Sequence, residues 1–208
     1  MRLILASTSP RRREILGLLG LSFDVIAPDF DEVVSDNRPV ADEVLAFAKA
    51  KAATVARKHP GSIIIGSDTM IFLAGKKIGK PTGMEDARKM LRALSSKTHV
   101  IFTSVAIIDG TGGPGLSTVQ EVSVKMRPYS DADVERYLTF GEYLDKAGAY
   151  SIQGEGRTLI ESIRGDYLAA VGLPLKPIAE YLKSCGVQFP LDIDKVYTEK
   201  GFLNWSTF

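Results

Sequence analysis

The order of apolar and polar runs predicts an α/β domain on a mixed, twisted β-sheet flanked by helices. Strand-type and helix-type segments alternate through the first half of the chain, the arrangement that builds parallel crossovers. Two long strand-type runs, His99–Ile108 and Ser117–Met126, then follow with only the glycine-rich turn Asp109–Gly115 between them, as in an antiparallel hairpin. With 208 residues, 45% of them apolar, the chain can bury a substantial core in one domain or two closely fused lobes.

The elements follow in order. Arg2–Ala6 reads as a strand, and Arg11–Leu19 as a helix closed by Gly20. Phe23–Ala27 makes a second strand. Pro39 opens a long helix from about Ala41 to Lys58, which His59-Pro60-Gly61 ends. The unbroken Ile63-Ile64-Ile65 run makes Ser62–Gly66 a buried-type strand. Met70–Leu73 and Lys76–Ile78 form a hairpin that turns at Ala74-Gly75. Met84–Leu94 and Asp131–Phe140 are helical, Thr158–Ile163 is a strand, and Pro174–Ser184 is the last clear helix. Residues after Gln188 carry no periodic signal and are read as an extension over the surface. The expected division is therefore one domain, 1–188, followed by a C-terminal extension, 189–208.

Composition narrows the function. A net charge of +1, from 26 basic and 25 acidic residues, argues against a nucleic-acid coat or a polybasic membrane anchor. Cys185 is the single cysteine, which removes an intrachain disulfide and a cysteine-rich zinc site. His59 and His99, the two histidines, have no metal-ligand neighbour at useful spacing. No run approaches membrane-spanning length, and the apolar N-terminus is too short for a signal segment. The expected setting is the cytoplasm.

Chemistry concentrates in a few places. Ser7-Thr8-Ser9-Pro10-Arg11-Arg12-Arg13 lies between a strand and a helix. Arginines in a first helical turn oppose the positive end of the helix dipole unless an anion completes the site. Free amides, hydroxyls and guanidiniums together suit a phosphate chain. The same string would also serve as a helix start capped by Ser9 and Pro10 with solvated arginines. Gly66-Ser67-Asp68-Thr69 follows the isoleucine strand, where ligands of open α/β sheets bind at strand carboxyl ends. Asp68 there is either a buried structural acceptor or a functional carboxylate. Lys51 falls on the apolar face of the long helix with Val44, Ala48 and Val55, so it snorkels or enters a polar cleft. Lys80 is framed by Gly79 and Pro81, and the loop Asp145–Gly154 is polar and rich in small residues. Converging, these groups supply cations, a carboxylate and helix-terminal amides, an inventory for phosphoryl chemistry. Neither a Gly-x-x-x-x-Gly-Lys-Ser/Thr loop nor a Gly-x-Ser-x-Gly elbow is present.

Leu5-Ala6-Ser7-Thr8-Ser9-Pro10-Arg11-Arg12 with Glu14-Ile15-Leu16 resembles the N-terminal signature of the Maf family of nucleoside triphosphate pyrophosphatases. The similarity continues through Ala48–Ala52, Gly66–Thr69, Gly79-Lys80-Pro81, Asp145–Tyr150, Gly165-Asp166-Tyr167 and Val171–Leu175. It implies a fold with a deep nucleotide-binding cleft, shared with inosine triphosphate pyrophosphatases. It also implies hydrolysis of a nucleoside triphosphate to monophosphate and pyrophosphate with a divalent cation, magnesium or manganese. By this resemblance Asp68 is the catalytic carboxylate, Ser7, Arg12, Lys51 and Lys80 hold phosphates, and Glu32 with Asp68 holds the metal. Arg11, Thr69 and Gln153 fall at specificity positions of the branch that prefers dTTP and UTP, and Tyr-Ser-Ile-Gln-Gly looks like that branch. Arg13 and the residues after Gln188 depart from the family pattern. The substrate partner is a nucleoside triphosphate; neither nucleic acid nor membrane is expected, and a homodimer is compatible with the pattern.

In the expected reaction water attacks the α-phosphorus and pyrophosphate leaves, while the cations hold the triphosphate. Asp68 acts as base if burial raises its pKa, or as metal ligand and water-orienting group if not. Gln153 presents both a donor and an acceptor to a pyrimidine edge. Two alternatives remain at this level: a nucleotide-sensing regulator of cell division that does not turn over, and a pyrophosphatase for inosine, xanthosine or 7-methylguanosine triphosphates.

Overall fold

The computed structural model describes residues 2–113 and 115–208. Its strands are β1 (Arg2–Ala6), β2 (Asp24–Val25), β3 (Ser62–Leu73), β4 (Lys76–Ile78), β5 (Thr98–Asp109), β6 (Leu116–Met126) and β7 (Ile160–Arg164). Its helices are α1 (Pro10–Gly17), α2 (Val40–Ala56), α3 (Met84–Leu94), α4 (Asp131–Leu138), α5 (Tyr167–Val171), α6 (Leu175–Ser184) and α7 (Ile193–Thr198). The strands join in one mixed sheet in the order β2-β1-β3-β5-β6-β7, with β4 added to β3. β1 pairs in parallel with β2 and β3, and the remaining pairings are antiparallel. The mixed sheet expected from the alternating first half and the later hairpin is therefore present. Of the turn 109–115, Pro114 lies outside the described residues.

Strand periodicity splits the core. Successive side chains of a strand point to opposite faces. Leu3 and Leu5 of β1 and Ile63 and Ile65 of β3 join the main cluster with α1, α3, α4, α5 and α6. Ile4, Ala6 and Ile64 face the other way, onto Ala52 and Val55 of α2. A third cluster, Val40, Val44, Phe47, Met70 and Phe102, continues that second face. The sheet thus lies between α2 and the remaining helices. No helix among the described residues is long and apolar enough to cross a membrane.

Three expectations need correction. β3 is one strand of 12 residues, not a strand over Ser62–Gly66 followed by a separate hairpin arm over Met70–Leu73. Gly66-Ser67-Asp68-Thr69 has turn-like composition, yet each residue pairs with β5, from Gly66 opposite Ala106 to Thr69 opposite Thr103. Long-range pairing overrides local preference here. The strand expected over Phe23–Ala27 shrinks to two residues at the sheet edge. The strand expected from Thr158 begins at Ile160, after a 3-10 turn over Glu155–Leu159. The hairpin itself turns at Ala74-Gly75, both with positive φ (48° and 83°).

α5 and α7 carry too few residues for a periodic signal, at five and six each. The segment after Gln188 contains α7, and its Ile193, Val196 and Trp205 are buried in the main cluster.

Candidate functional site

The site forms where the sheet leaves one edge of β3 open. β1 accompanies β3 as far as Ala6 opposite Gly66, and the pairing of β3 with β4 starts at Ile71 opposite Ile78. Between them residues 67–70 have no strand neighbour on that side. A cleft of about 900 Å³ opens there, and Ser7, Arg11, Arg12, Glu32, Lys51, Asp68, Thr69, Lys80 and Gln153 all line it. Asp68 therefore lies within a strand, not past its carboxyl end. It is β1 that ends at the cleft, delivering the Ser7–Arg12 turn.

Asp68 and Thr69 are neighbours on one strand, so they point to opposite faces of the sheet. Asp68 points toward α2. There Lys51 Nζ donates to Asp68 Oδ1 at 2.5 Å and to Glu32 Oε1 at 2.5 Å. The Lys51 and Asp68 side chains are only 7% and 6% exposed, whereas that of Glu32 is 36% exposed. Lys51 thus enters a polar cleft instead of snorkelling outward. Gly66 makes this approach feasible, because a Cβ at that position would sit 2.3 Å from the Ala48 carbonyl oxygen and 2.9 Å from Ala52 N. Any side chain there would push α2, and Lys51 with it, away from Asp68.

Thr69 points toward α1 and α5. Arg12 Nη2 donates to Thr69 Oγ1 at 3.1 Å, Nη1 to Ser7 Oγ at 3.4 Å and Nε to the Gly172 carbonyl at 2.9 Å. Thr103 on β5 holds Thr69 from behind, donating to the Ala169 carbonyl at 2.8 Å while its Oγ1 lies 3.1 Å from Thr69 Oγ1 in a hydroxyl pair. Ser67 Oγ also donates to Gly172 O, at 3.2 Å. Gly172 ends α5 with φ +137°, a conformation side chains disfavour, and this turn aims its carbonyl at Arg12.

The α1 terminus differs from a capped helix start. Ser9 occupies the N-cap position without a side-chain cap bond, and Pro10 leads the first turn, which contains no acidic residue. Ser7 Oγ instead accepts from Ser9 N at 3.2 Å. Side chains thus leave the positive helix end unneutralised at the cleft, which suits an anion.

Charge in the cleft is unevenly compensated. Burial pushes the Arg12 pKa below its usual value, against the pull of Asp68 and Glu32. Burial and the neighbouring Arg12 charge lower Arg11, and burial with the Arg11 charge lowers Lys146. Desolvated, mutually repelling cations are what a polyphosphate relieves. Burial raises Asp68 above the ordinary carboxylate range, although Lys51 and Arg12 oppose the shift. Burial also works to raise Glu32, but the hydrogen bond and charge of Lys51, with the charges of Lys80 and Arg12, together lower its pKa.

Lys80 lines the rim beyond β4, and the Gly79 carbonyl next to it accepts from Gly148 N at 3.0 Å. Gln153 also lines the cleft, and its Nε2 donates to Glu14 Oε2 at 3.3 Å. Sequence reasoning did not assign roles to Gly172, Thr103, Glu14, Glu142 or Lys146. Glu142 Oε1 and Oε2 accept from Glu155 N and Gly156 N at 3.0 and 3.3 Å, bracing the loop that carries Gln153. Gly172 lies in the family-like Val171–Leu175 string; Glu142 had no signal because its partners are backbone amides.

Comparison with known proteins finds relatives over most of the chain. The chain is 42% identical over 186 residues to a dTTP/UTP pyrophosphatase of Desulforamulus reducens, covering 89% of this chain and 97% of that protein. It is 44% identical over 191 residues to a dTTP/UTP pyrophosphatase of Anaeromyxobacter dehalogenans, covering 91% of this chain and 96% of that protein. A more distant likeness, at 16% identity and a TM-score of 0.43, joins 61% of this chain to 72% of the Staphylococcus aureus Ham1 protein. The family described as Maf-like protein matches residues 2–185, a span that holds every residue of the cleft described above. The chain belongs to the Maf-like protein family.

Proposed function

We propose that the protein hydrolyses dTTP and UTP to the nucleoside monophosphate and pyrophosphate. The observation that carries this reading is Lys51 held between Asp68 and Glu32, across one cleft from the uncapped Ser7–Arg12 turn. One side of the cleft offers anion-binding groups and the other a raised-pKa carboxylate, as attack on a bound triphosphate requires. Two relatives above 40% identity carry the name of that activity.

In this reading Arg12, Lys80 and the first amides of α1 bind the triphosphate, with Ser7 and Thr69 fixing the Arg12 fork. Water attacks the α-phosphorus, the bond from that phosphorus to the bridging oxygen breaks, and pyrophosphate leaves. Asp68 accepts the proton lost by the water. Its raised pKa brings it nearer neutrality and makes it a better base than a solvated aspartate. Lys51 holds the Asp68 carboxylate in place.

The donor set also fits a magnesium or manganese ion. Glu32 and Asp68 offer hard carboxylate oxygens on one ammonium, and no cluster of three His, Cys, Asp or Glu side chains occurs among the described residues. Magnesium is commonly held by one or two carboxylates, with waters and substrate phosphates completing the shell. Such an ion supplies Lewis-acid stabilisation of the charge that develops on the phosphates.

Arg11, Thr69 and Gln153 set base preference in this reading, with the Gln153 amide reading the pyrimidine edge. Pyrophosphate release from dTTP, UTP, CTP, ITP and 7-methyl-GTP, with magnesium or manganese, tests the proposal. Turnover is expected to be highest with dTTP and UTP. A purine preference would overturn the pyrimidine assignment, and saturable binding without release would overturn catalysis.

A further inference from the structure

The last residues of the chain touch the two segments that shape the cleft wall, although the family match ends at residue 185. Asn204 Nδ2 donates to the Gln153 carbonyl at 2.6 Å and to the Ile152 carbonyl at 3.4 Å. Its Oδ1 accepts from Arg157 Nη1 at 3.1 Å. One amide thus ties three residues of the loop that presents Gln153. Asn204 itself sits in the left-handed region at φ +63°, a conformation asparagine tolerates better than most residues.

The neighbours of Asn204 are firmly held. Trp205, 8% exposed, stacks on Tyr167 with ring centroids 5.1 Å apart, and Tyr167 Oη donates to the Leu203 carbonyl at 2.6 Å. Tyr197 Oη donates to Asp166 Oδ2 at 2.9 Å, while Asp166 Oδ1 accepts from Leu168 N and Ala169 N at the start of α5. α5 leads directly to Gly172, whose carbonyl holds Arg12. The stacked tryptophan therefore anchors the segment on the same helix that supports the phosphate side, and Asn204 extends from that anchor to the base side.

We propose that residues 192–208 form a strap whose Asn204 is a positioning residue for base selection. It fixes the backbone of Ile152 and Gln153, so that the Gln153 amide meets the nucleobase from one orientation. Glu142 braces the Glu155 and Gly156 amides between these contacts, so the loop is held along its length. Asn204 does not line the cleft and acts only through Gln153. The assignment to base selection rests on the proposed reaction; the bracing of the loop does not.

Asn204→Gly tests this, because glycine keeps the left-handed backbone while removing all three side-chain bonds. Hydrogen exchange of the full-length protein without nucleotide is read first. Amides of 152–157 are expected to exchange about 2- to 10-fold faster, the range set by losing a hydrogen bond of ordinary strength. Unchanged exchange there would overturn the strap, whatever the protein hydrolyses.

With dTTP and the nucleotide panel, Asn204→Gly is expected to raise KM and lower the preference for dTTP over purine nucleotides by a similar factor. The same substitution placed in a Gln153→Ala background should cost no further preference, since two residues acting as one unit are non-additive. Asn204→Asp keeps the acceptor for Arg157 but turns the donor into an oxygen facing two carbonyls, so its preference should fall below that of Asn204→Gly. A loss confined to kcat, or preference losses that add in the double variant, would overturn the positioning role. If the wild type hydrolyses none of the panel, the reaction assignment fails and the exchange result alone decides the strap.

Discussion

α2 carries two buried charged residues, and they do opposite things. Glu43 is fully buried near its start, where its Oε2 accepts from Lys77 Nζ at 2.6 Å and its Oε1 from Ser35 N at 2.6 Å. Lys77 also donates to the Ser35 carbonyl, so each group in this knot has a protein partner and the two charges cancel. Two turns further on, Lys51 meets Asp68 and Glu32, one cation against two carboxylates, at the floor of an open cleft. The first arrangement is closed and neutral. The second shares one ammonium between two carboxylates beside accessible space, with Arg12 acting on both, so it can accept a proton or take part in binding a cation. Burial of an ion pair alone does not mark a reactive site; a shared cation and access to a cleft do.

Asp68→Asn should produce the largest contrast. Turnover is expected to fall by about 10²- to 10⁴-fold, the usual contribution of a general base. Lys51 keeps Glu32 as its partner, so the thermal midpoint and nucleotide binding should change little. Steady-state rates with dTTP, calorimetric titration and a melting curve check this. Wild-type turnover would remove Asp68 from the mechanism.

Glu43→Leu should do the reverse. Lys77 then has no other carboxylate partner among the described residues, and a buried charge stripped of its partner costs about 3–5 kcal/mol of stability. Activity per folded molecule should persist. Adding Lys77→Met removes the orphan charge and should recover most of the loss, as denaturant titration would show. If the single variant were as stable as wild type, the knot would not be a structural element.

pH offers the smallest and sharpest distinction. The Asp68 carboxyl is raised by burial, so the native state keeps a proton in a window where the unfolded chain, near pH ~3.9, has lost it. Its contribution to stability is therefore full below that value and disappears as pH rises through the folded pKa. Without divalent cation, wild type should lose stability relative to Asp68→Asn as pH rises across this window, as denaturant titration would show. A difference that stays constant across it would show that Asp68 titrates as a solvated carboxylate.

Much of this was legible in the sequence where local chemistry and long-range packing agree. Lys51 could be flagged because a lysine stands among Val44, Ala48 and Val55 on a helix face otherwise committed to the core. The Ser7–Arg12 turn could be flagged because its arginines contradict the helix dipole. Gly66–Thr69 reads as the end of a strand rather than its middle, because its composition carries no trace of the β5 partner that extends it. Glu43 raised no signal, since an acidic residue early in a helix is ordinary and only Lys77, 34 positions on, makes its burial feasible.

By itself, then, the sequence determined the alternation of strands and helices, the segments that carry charge at unusual places, and the family to which they belong. Periodicity and local electrostatics are properties of neighbouring residues, and they survive in one dimension. Tertiary structure alone decided that β1 and β4 leave a gap along β3, that Asp68 and Thr69 serve opposite faces of one strand, and that Asn204 reaches Gln153. The contacts that decide them reach far along the chain, with Ala6 opposite Gly66, Thr69 on Thr103 and Gln153 on Asn204. Such contacts are set by how the sheet and its layers close in space, and no local window of sequence contains them.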